Sequence, residues 1–271
     1  EVARGDLADR DSVADAMKGR QIVLHLGALI AIPYSYLAPE SYVRTNILGT
    51  LNVLQCAREQ GIDRLVHTST SEVYGSAQTV PMTEDHPLVG QSPYSASKIA
   101  ADKLAESYHR SFGTPVVTLR PFNTFGPRQS ARAVIPALAV QALAGQVVRM
   151  GDPRPTRDFV FVDDTADAFV RAATAPGIEG MTLHFGGGRE IAVGDLPRMI
   201  GEAAGIDVTV EHDPQRMRPA ASEVERLIAD ASRARDLLGW TPRVSVEAGL
   251  AQVVDFIREN PHLYRPREYA V

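Results

Sequence analysis

Hydrophobic positions along the first two thirds of the chain follow two different spacings. Short, nearly continuous apolar runs predict strands at 21–25, 64–68 and 115–119, whereas apolar residues three or four positions apart predict helices over 41–60 and 92–111. Strands that are apolar throughout and alternate with helices are typical of a parallel sheet covered on both faces. The pattern therefore predicts an α/β fold.

Polar and small residues follow each predicted strand at its carboxyl end. The three segments are 26–28, 68–72 and 120–123. In a parallel sheet these ends meet at one edge, which is where α/β folds bind their ligands. The position of the three segments therefore favours an enzyme.

The pattern changes after residue 125. It predicts a turn at 126–129, a helix over 132–145, and a strand at 157–164 that leads into a helix at 165–175. The remainder mixes short strands and helices. We interpret this part as a second, smaller lobe that closes over the first.

Tyr94 and Lys98 lie four positions apart in a predicted helix, and therefore on one face of it. An ammonium group beside a phenol favours the phenolate and lowers its pKa. Such a tyrosine can exchange a proton with an alcohol while a hydride leaves carbon. Thr70, at the end of the preceding strand, can hold the same substrate oxygen. The spacing alone also fits a solvated helix face, but the upstream Thr-Ser-Glu favours interconversion of an alcohol and a ketone.

Charge, hydropathy and residue counts exclude several other functional classes. The net charge of -5 leaves no strongly basic field, so we expect no nucleic-acid partner. No apolar run approaches the roughly 20 residues of a membrane span, so we expect no membrane partner. The single cysteine, Cys56, excludes an intrachain disulfide, is expected to be buried, and favours the cytoplasm. The histidines show no metal-binding spacing, and we expect no catalytic metal.

Short motifs spread over essentially the whole chain carry a resemblance to a known family. They are GDL at 5–7, HLGA at 25–28, TSEVYG at 70–75, YSASK at 94–98, RPFN at 120–123, GPR at 126–128 and RDFVFVD at 157–163. These motifs resemble the nucleotide-sugar epimerase/dehydratase branch of the extended short-chain dehydrogenase/reductases. Segments 28–36, 68–75 and 126–136 are similar to NAD-dependent 4,6-dehydratases that act on nucleotide-linked N-acetylglucosamine in legionaminic acid type pathways.

The resemblance implies a Rossmann-like, doubly wound parallel sheet with a smaller α/β substrate lobe. The NAD-binding domain would comprise 1–125 with about 158–178, and the nucleotide-sugar lobe 126–157 and 179–271. The family opens with a strand and a glycine-rich turn that cradles the NAD pyrophosphate. We find no such segment before Asp6, and expect that about 50 residues of a βαβ unit are lacking. A chain starting at Glu1 is then expected to bind NAD weakly and to be unstable.

The resemblance also implies a catalytic role for each matching residue. Tyr94 would take the proton of the sugar C4 hydroxyl while hydride passes to NAD, with Thr70 bonded to that oxygen and Lys98 on the nicotinamide ribose. Glu72 would then remove the C5 proton, water would leave from C6, and hydride would return there. Ser71 stands where many 4,6-dehydratases have an aspartic acid. The acid for the C6 hydroxyl is then Glu72, a relayed water or another group.

Binding residues follow from the same motifs. Arg157 and Arg218 match arginines that clamp the diphosphate, as guanidinium groups do through paired hydrogen bonds, with Arg216 as a rival to Arg218. The implied cofactor set is Asp6, Leu7, Leu26, Gly27, Ala28, Thr68, Tyr94, Lys98 and Pro121; the implied substrate set is Asn123, Arg128, Ala133, Val134, Arg157 and Arg218.

A homodimer is also expected, paired through the helices at 41–60 and 92–111. Leu48, Val53, Ile99 and Leu104 would supply apolar faces to that contact. The alternative is that these four side chains face their own sheet.

Three other functions remain open. A UDP-glucuronate decarboxylase would share the C4 oxidation, although the catalytic helix usual there reads YDEGK and not YSASK. A 4-epimerase needs no base at C5, so the presence of Glu72 argues against simple 4-epimerisation. A non-catalytic NAD(H) or nucleotide-sugar binding module commonly loses the tyrosine or the lysine, and both are present. The nucleotide, UDP or GDP, stays open as well.

Overall fold

Strands and helices alternate along the computed structural model, which describes residues 1–265. The strands are β1 (Ile22–His25), β2 (Arg64–Thr68), β3 (Val116–Pro121), β4 (Asn123–Phe125), β5 (Val147–Met150), β6 (Thr156–Phe161), β7 (Thr182–Phe185), β8 (Glu190–Ala192) and β9 (Thr209–His212). The helices are α1 (Arg10–Met17), α2 (Ile32–Leu37), α3 (Pro39–Tyr42), α4 (Gly49–Gln60), α5 (Pro93–Phe112), α6 (Val134–Gly145), α7 (Val162–Thr174), α8 (Leu196–Ala204), α9 (Ser232–Leu238) and α10 (Val246–Glu259).

Four strands form one parallel sheet in the order β1-β2-β3-β7. Their register aligns Leu24 with Val66 and Val66 with Val117. Because all four run in the same direction, their carboxyl ends lie along one edge. The predicted parallel sheet is confirmed, and its edge collects the polar segments that follow β1, β2 and β3.

Helices cover both faces of this sheet. Leu65 and Val116 pack against α1, α4 and α5, whereas Val66 and Val117 pack with α7 and Trp240 on the opposite face. Neighbouring residues of a strand point to opposite faces, so strands buried on both sides must be apolar at every position. The doubly wound, Rossmann-like arrangement expected from the sequence is confirmed.

A second group of elements builds its own core beside this sheet. β4 pairs in parallel with β6, β8 pairs antiparallel to β6, and β5 and β9 form a separate parallel pair. Helices α6, α8 and α10 pack on these strands around Phe125, Phe161 and Leu250. Residues 266–271, which end the predicted second lobe, lie outside the described residues.

The prediction of a strand over 157–164 is wrong at its carboxyl end. Asp163 and Asp164 lie in the first turn of α7. Acidic side chains stabilise that position because unpaired N–H groups make a helix N-terminus positive. Asp164 also accepts hydrogen bonds of 3.0 Å from the backbone N–H groups of Arg243 and Val244, which fixes the start of α7.

The predicted helix over 41–60 is present, but it is not uniform. A π-helical turn, Val43–Leu48, lies between α3 and α4. α5 begins as expected, because the Ser92 hydroxyl accepts a hydrogen bond from the backbone of Ser95 and Pro93 occupies the first turn. Both helices pack on the face of the sheet that carries Leu65 and Val116.

The apolar residues assigned to a dimer contact do not form an outward face together. Val53 is buried in the core under α1 and α4, and Leu104 packs against the same core. Ile99 packs beside Val73. Of the four residues, only Leu48 is exposed, which corrects the assignment of Val53 and leaves the homodimer a prediction.

Membrane insertion by a helix has no support in this fold. None of the helices within residues 1–265 combines the length and the apolar character that crossing a bilayer requires.

Replacing Gly249 by alanine is expected to destabilise the protein. A Cβ atom at Gly249 in α10 would lie 2.6 Å from Phe125 and 2.8 Å from Phe161, at the strands that carry part of the site. Such overpacking costs about 1–3 kcal/mol. That is more than the roughly 1 kcal/mol that alanine gains over glycine inside a helix. Urea unfolding should give a lower free energy of unfolding for Gly249→Ala.

Gly145→Ala in α6 is the matched control, because a Cβ there meets nothing within 4 Å. Its free energy of unfolding should stay the same or rise. Equal stability of the two variants would contradict the packing described for α10.

Candidate active site

Tyr94 and Lys98 lie on the face of α5 that packs against the end of β2. Both are buried, with 7% and 4% of their surfaces exposed. The Lys98 ammonium donates a hydrogen bond of 2.5 Å to the carbonyl of Thr68, and the Thr70 hydroxyl is hydrogen-bonded to the Tyr94 phenol. The structure thus brings together the tyrosine, lysine and threonine predicted to work as one unit.

Burial dominates the acid-base properties of this pair. It lowers the pKa of Lys98 to about 8. It raises the pKa of the Tyr94 phenol, although the hydrogen bond from Thr70 opposes that shift. The direction for Tyr94 is opposite to the one expected from Lys98, because burial disfavours the ionised phenolate and the charge of Glu72 adds to that effect.

A short 3₁₀ turn, Ser71–Tyr74, follows Thr70 and carries the remaining predicted catalytic residues. The Thr70 side chain caps this turn by accepting a hydrogen bond of 3.3 Å from the backbone of Glu72. Ser71 is buried, whereas Glu72 is half-buried and its charge acts on both Tyr94 and Arg157. The turn therefore sets a carboxylate beside the tyrosine.

Arg157 and Arg218 converge on one carboxylate. The Arg157 guanidinium is 5% exposed and donates to Glu223 at 3.2 Å and to the Val224 carbonyl at 2.7 Å. Arg218 lies 3.5 Å from the same Glu223 oxygen. Burial lowers the pKa of Arg157, and the charges of Glu72 and Glu223 oppose that effect. Glu223 was not singled out from the sequence, since a surface loop rich in charges gives no spacing signal.

The other predicted substrate residues lie along the connection from β4 to α6. The Asn123 side-chain oxygen is buried without a hydrogen-bond partner. Arg128 is exposed and has a φ of 68°, and Ala133 precedes the first residue of α6. The Val134 side chain packs against the core of the second group of elements.

Four of the predicted cofactor residues share one groove of about 270 Å³ between α1 and β1. They are Asp6, Leu7, Leu26 and Gly27. A Cβ atom at Gly27 would lie 2.7 Å from the Leu7 side chain, so a larger residue there would require Leu7 to move. Ala28 follows the groove in sequence, while Thr68 and Pro121 end the two neighbouring strands.

The end of β2 fits the nicotinamide ribose of NAD. The Thr68 hydroxyl is buried without a hydrogen-bond partner. The carbonyl of the same residue accepts the hydrogen bond from Lys98. Unpaired buried hydroxyls are costly, so such an atom at a strand end is suited to a ligand hydroxyl. Thr68, Tyr94 and Lys98 together would hold the ribose.

Asn46 is a second residue that sequence reasoning missed. It lies in the π-helical turn, where its side chain accepts from the Leu29 backbone at 2.8 Å, donates to the Leu29 carbonyl and donates to Ser97 on α5, both at 2.9 Å. Asn46 thereby ties the segment after β1 to the catalytic helix. A π turn leaves no mark on helical periodicity, although such turns are frequent at functional sites.

The two strand-end histidines are buried and hydrogen-bonded, as expected. His25 lies 3.0 Å from the Thr50 hydroxyl and His67 lies 3.1 Å from Asp102. Cys56 is 1% exposed. Among the described residues, no group of three or more histidine, cysteine, aspartate and glutamate side chains is arranged to hold a metal.

A larger cavity, of about 920 Å³, lies away from Tyr94. Its walls include Glu84, His109 and Arg233, and none of the predicted site residues lines it. Size alone therefore does not identify the chemical site in this protein.

Comparison with known proteins shows the family of this chain. The sequence profile of the family described as GDP-mannose 4,6 dehydratase matches residues 1–253. A dTDP-glucose 4,6-dehydratase from Streptomyces antibioticus is 36% identical, with 97% of this chain and 78% of the relative covered. A UDP-glucose 4-epimerase from Mycolicibacterium smegmatis is 33% identical, with 95% and 83% covered.

Solved structures agree in fold and cofactor. The dTDP-glucose 4,6-dehydratase DesIV from Streptomyces venezuelae, solved with NAD bound, has a TM-score of 0.88 at 32% identity and covers 97% of this chain and 81% of its own. A UDP-glucuronic acid 4-epimerase from Bacillus cereus, solved with its substrate and NAD, has a TM-score of 0.88 at 30% identity, with 96% and 81% covered. The chain therefore belongs to the GDP-mannose 4,6-dehydratase family, a group of NAD-dependent nucleotide-sugar dehydratases and epimerases of the extended short-chain dehydrogenase/reductase type.

Proposed function

We propose that this protein is a 4,6-dehydratase that converts UDP- or GDP-linked N-acetylglucosamine into a 4-keto-6-deoxy sugar. The observation that carries the proposal is the position of Glu72. Its carboxylate lies in the turn capped by Thr70, close enough to Tyr94 for its charge to act on the phenol. A second base beside the C4 machinery is what a dehydratase needs at C5.

The first step assigned to the chain is oxidation at C4. Tyr94 takes the hydroxyl proton, and Thr70 holds the same oxygen by a hydrogen bond. Because burial raises the pKa of Tyr94, the phenolate needs a cation nearby, and Lys98 one turn along α5 supplies it. NAD, when bound, accepts the C4 hydride and returns it at C6.

The second step is loss of water across C5 and C6. The 4-ketone acidifies the C5 proton, and Glu72 removes it. We also assign to Glu72 the delivery of that proton to the departing C6 hydroxyl, so that one water leaves. As hydride reaches C6, C5 takes up a solvent proton through Glu72, and the C4 hydroxyl proton held by Tyr94 is released to solvent, which restores both groups. Ser71 is 3% exposed and lacks the acidity for this role.

Binding of the diphosphate falls to Arg157 and Arg218. Both guanidinium groups share Glu223, and a diphosphate carries more negative charge and more acceptor oxygens than that carboxylate. The unpartnered Asn123 oxygen suits a hydroxyl or amide donor of the sugar.

The competing function is 4-epimerisation. It is favoured by the epimerases among the similar proteins, which include the one from Mycolicibacterium smegmatis. Epimerisation would use only Tyr94, Lys98 and Thr70, and Glu72 would have no role in the reaction. The dTDP-glucose dehydratases among the similar proteins also make dTDP-glucose a substrate to include in any assay.

Reaction in deuterated water is expected to label one carbon. With UDP- or GDP-N-acetylglucosamine, the product should have lost one water, gained a C6 methyl group and acquired deuterium at C5, because the C5 proton exchanges through Glu72. NMR and mass spectrometry read all three changes, with dTDP-glucose and UDP-glucuronate as comparison substrates. A product with inverted C4 and an unchanged mass, or release of carbon dioxide from UDP-glucuronate, would contradict the proposal.

Glu72→Gln is expected to separate the two steps. Hydride should still leave C4, so NADH absorbance should appear on mixing, while formation of the methyl product falls about 10²–10⁴-fold, the usual contribution of a positioned base. Tyr94→Phe should abolish both signals. Glu202→Gln, an exposed carboxylate on α8, is the matched control and should change neither. Dehydration by Glu72→Gln at the normal rate would remove Glu72 from the mechanism.

We also propose that two copies pair through the outer faces of α4 and α5. Leu48 and Phe112, exposed by 40% and 52%, supply apolar surface there. Sedimentation should give about twice the 29.4 kDa of one chain, and Leu48→Asp should shift the population towards monomers. A wild-type protein that sediments only as a monomer at all concentrations would contradict the pairing.

A further inference from the structure

One face of α5 carries a third buried polar residue in line with the catalytic pair. Asp102 follows Lys98 by four positions, just as Lys98 follows Tyr94, so the three side chains share one stripe of the helix. Its side chain is 4% exposed. The end of β2 contacts all three residues of the stripe, through Thr68, Ser69 and Thr70.

Asp102 is held in its ionised form by three partners. The Ser69 hydroxyl donates to it at 2.6 Å, His67 lies 3.1 Å away, and Arg120 donates through two nitrogens at 2.9 and 3.2 Å. Burial works to raise the pKa of Asp102, but the hydrogen bonds and the Arg120 charge outweigh it and lower that pKa to about 2. A fixed negative charge therefore lies one turn beyond Lys98.

The remaining groups around Lys98 do not replace this charge. The titratable and charged side chains that face the ammonium group or its neighbours are Tyr94 and Asp102 on α5, His25 on β1, His67 on β2, Glu72 on the 3₁₀ turn and Arg120 on β3. Burial lowers the pKa values of His25 and His67, which keeps both rings neutral at pH 7. Arg120 is paired with Asp102 itself. The charge of Glu72 acts on Tyr94, whereas the charge that acts on Lys98 is that of Asp102.

We propose that Asp102 is a positioning residue, which acts through Lys98 by keeping its buried amine in the ammonium form and aimed at the Thr68 carbonyl. Asp102 touches neither sugar nor cofactor in this role. The inference rests on the proposed function only in that Lys98 works as a cation there.

Removal of the Asp102 charge has a defined direction of effect. Lys98 titrates near pH 8 with the carboxylate in place. Loss of an opposite charge one turn away disfavours the ammonium form, and such pairs typically shift a pKa by about 1–3. The pKa of Lys98 should therefore fall to about 7 or below, and the fraction charged at pH 8 should fall about fivefold or more.

The lysine content of the chain makes this measurable without turnover. The sequence contains three lysines, Lys18, Lys98 and Lys103, and the other two are exposed. With lysine labelled by ¹³C, NMR of the ε-carbons against pH should give a midpoint near 8 for Lys98. In Asp102→Asn, only the Lys98 midpoint should move, downwards by about one pH unit or more.

Ser69→Ala is the matched control, because it removes one hydrogen bond from the same carboxylate and leaves its charge. Its Lys98 midpoint should stay near that of the wild type, and so should that of Asp102→Glu, which restores the charge. The alkaline limb of kcat should follow the Lys98 midpoint in each variant. An unchanged Lys98 midpoint in folded Asp102→Asn would overturn the proposal and leave Asp102 a structural residue.

If Asp102→Asn does not fold, the Arg120 charge must be removed as well, because Asp102 pairs with it. Lys98→Met should then raise the thermal unfolding temperature more in Asp102→Asn/Arg120→Met than in the wild type, since only the variant leaves the ammonium without an opposite charge. An equal effect of Lys98→Met in both backgrounds would contradict an interaction between Asp102 and Lys98. Absence of any reaction with nucleotide sugars would refute the proposed function, yet the titration of Lys98 would still test Asp102.

Discussion

Burial of the Lys98 ammonium is the constraint on which the site depends. A charged group removed from water costs several kcal/mol unless acceptors and an opposite charge replace its solvent, so α5 can lie against β2 only where such partners exist. The Thr68 carbonyl and the Asp102 carboxylate supply them. With Lys98 in this position, the four-residue spacing along α5 places Tyr94 next to Thr70. The 3₁₀ turn that Thr70 caps then places Glu72 beside the Tyr94 phenol.

The parallel direction of the strands brings together the segments that form the rest of the site. Because β1, β2 and β3 are parallel, everything that follows them meets at one edge. The chain then leaves this sheet through β4, which pairs with β6 and carries Asn123, while β6 carries Arg157. In the proposed function, proton chemistry belongs to α5 and the end of β2, and anion recognition belongs to Arg157 and Arg218.

Much of this arrangement could be predicted because it depends on local spacing. Apolar runs located the strands, the four-residue interval placed Tyr94 and Lys98 on one face, and the motif after β2 indicated Thr70 and Glu72. What the sequence could not reveal is burial and long-range partnership. Asp102 looks like a solvated helix residue until β2 and β3 enclose it.

Other misses have the same origin. Asn46 depends on a π turn that periodicity does not detect, and Glu223 depends on a loop returning to two distant arginines. Val53 is apolar and was therefore assigned to an interface, but its side chain packs in the core between α1, α4 and the sheet. The pKa of Tyr94 moves opposite to expectation because burial, which the sequence does not show, disfavours the ionised phenolate.

In the proposed reaction, one site oxidises C4 and returns the same hydride to C6 after Glu72 has removed the C5 proton. The decisive substrate is a nucleotide-linked N-acetylglucosamine deuterated at C4, with the position of the label read by NMR of the product. The deuterium should leave C4 and appear in the C6 methyl group. Deuterium retained at C4, whether or not the configuration there has inverted, would contradict it.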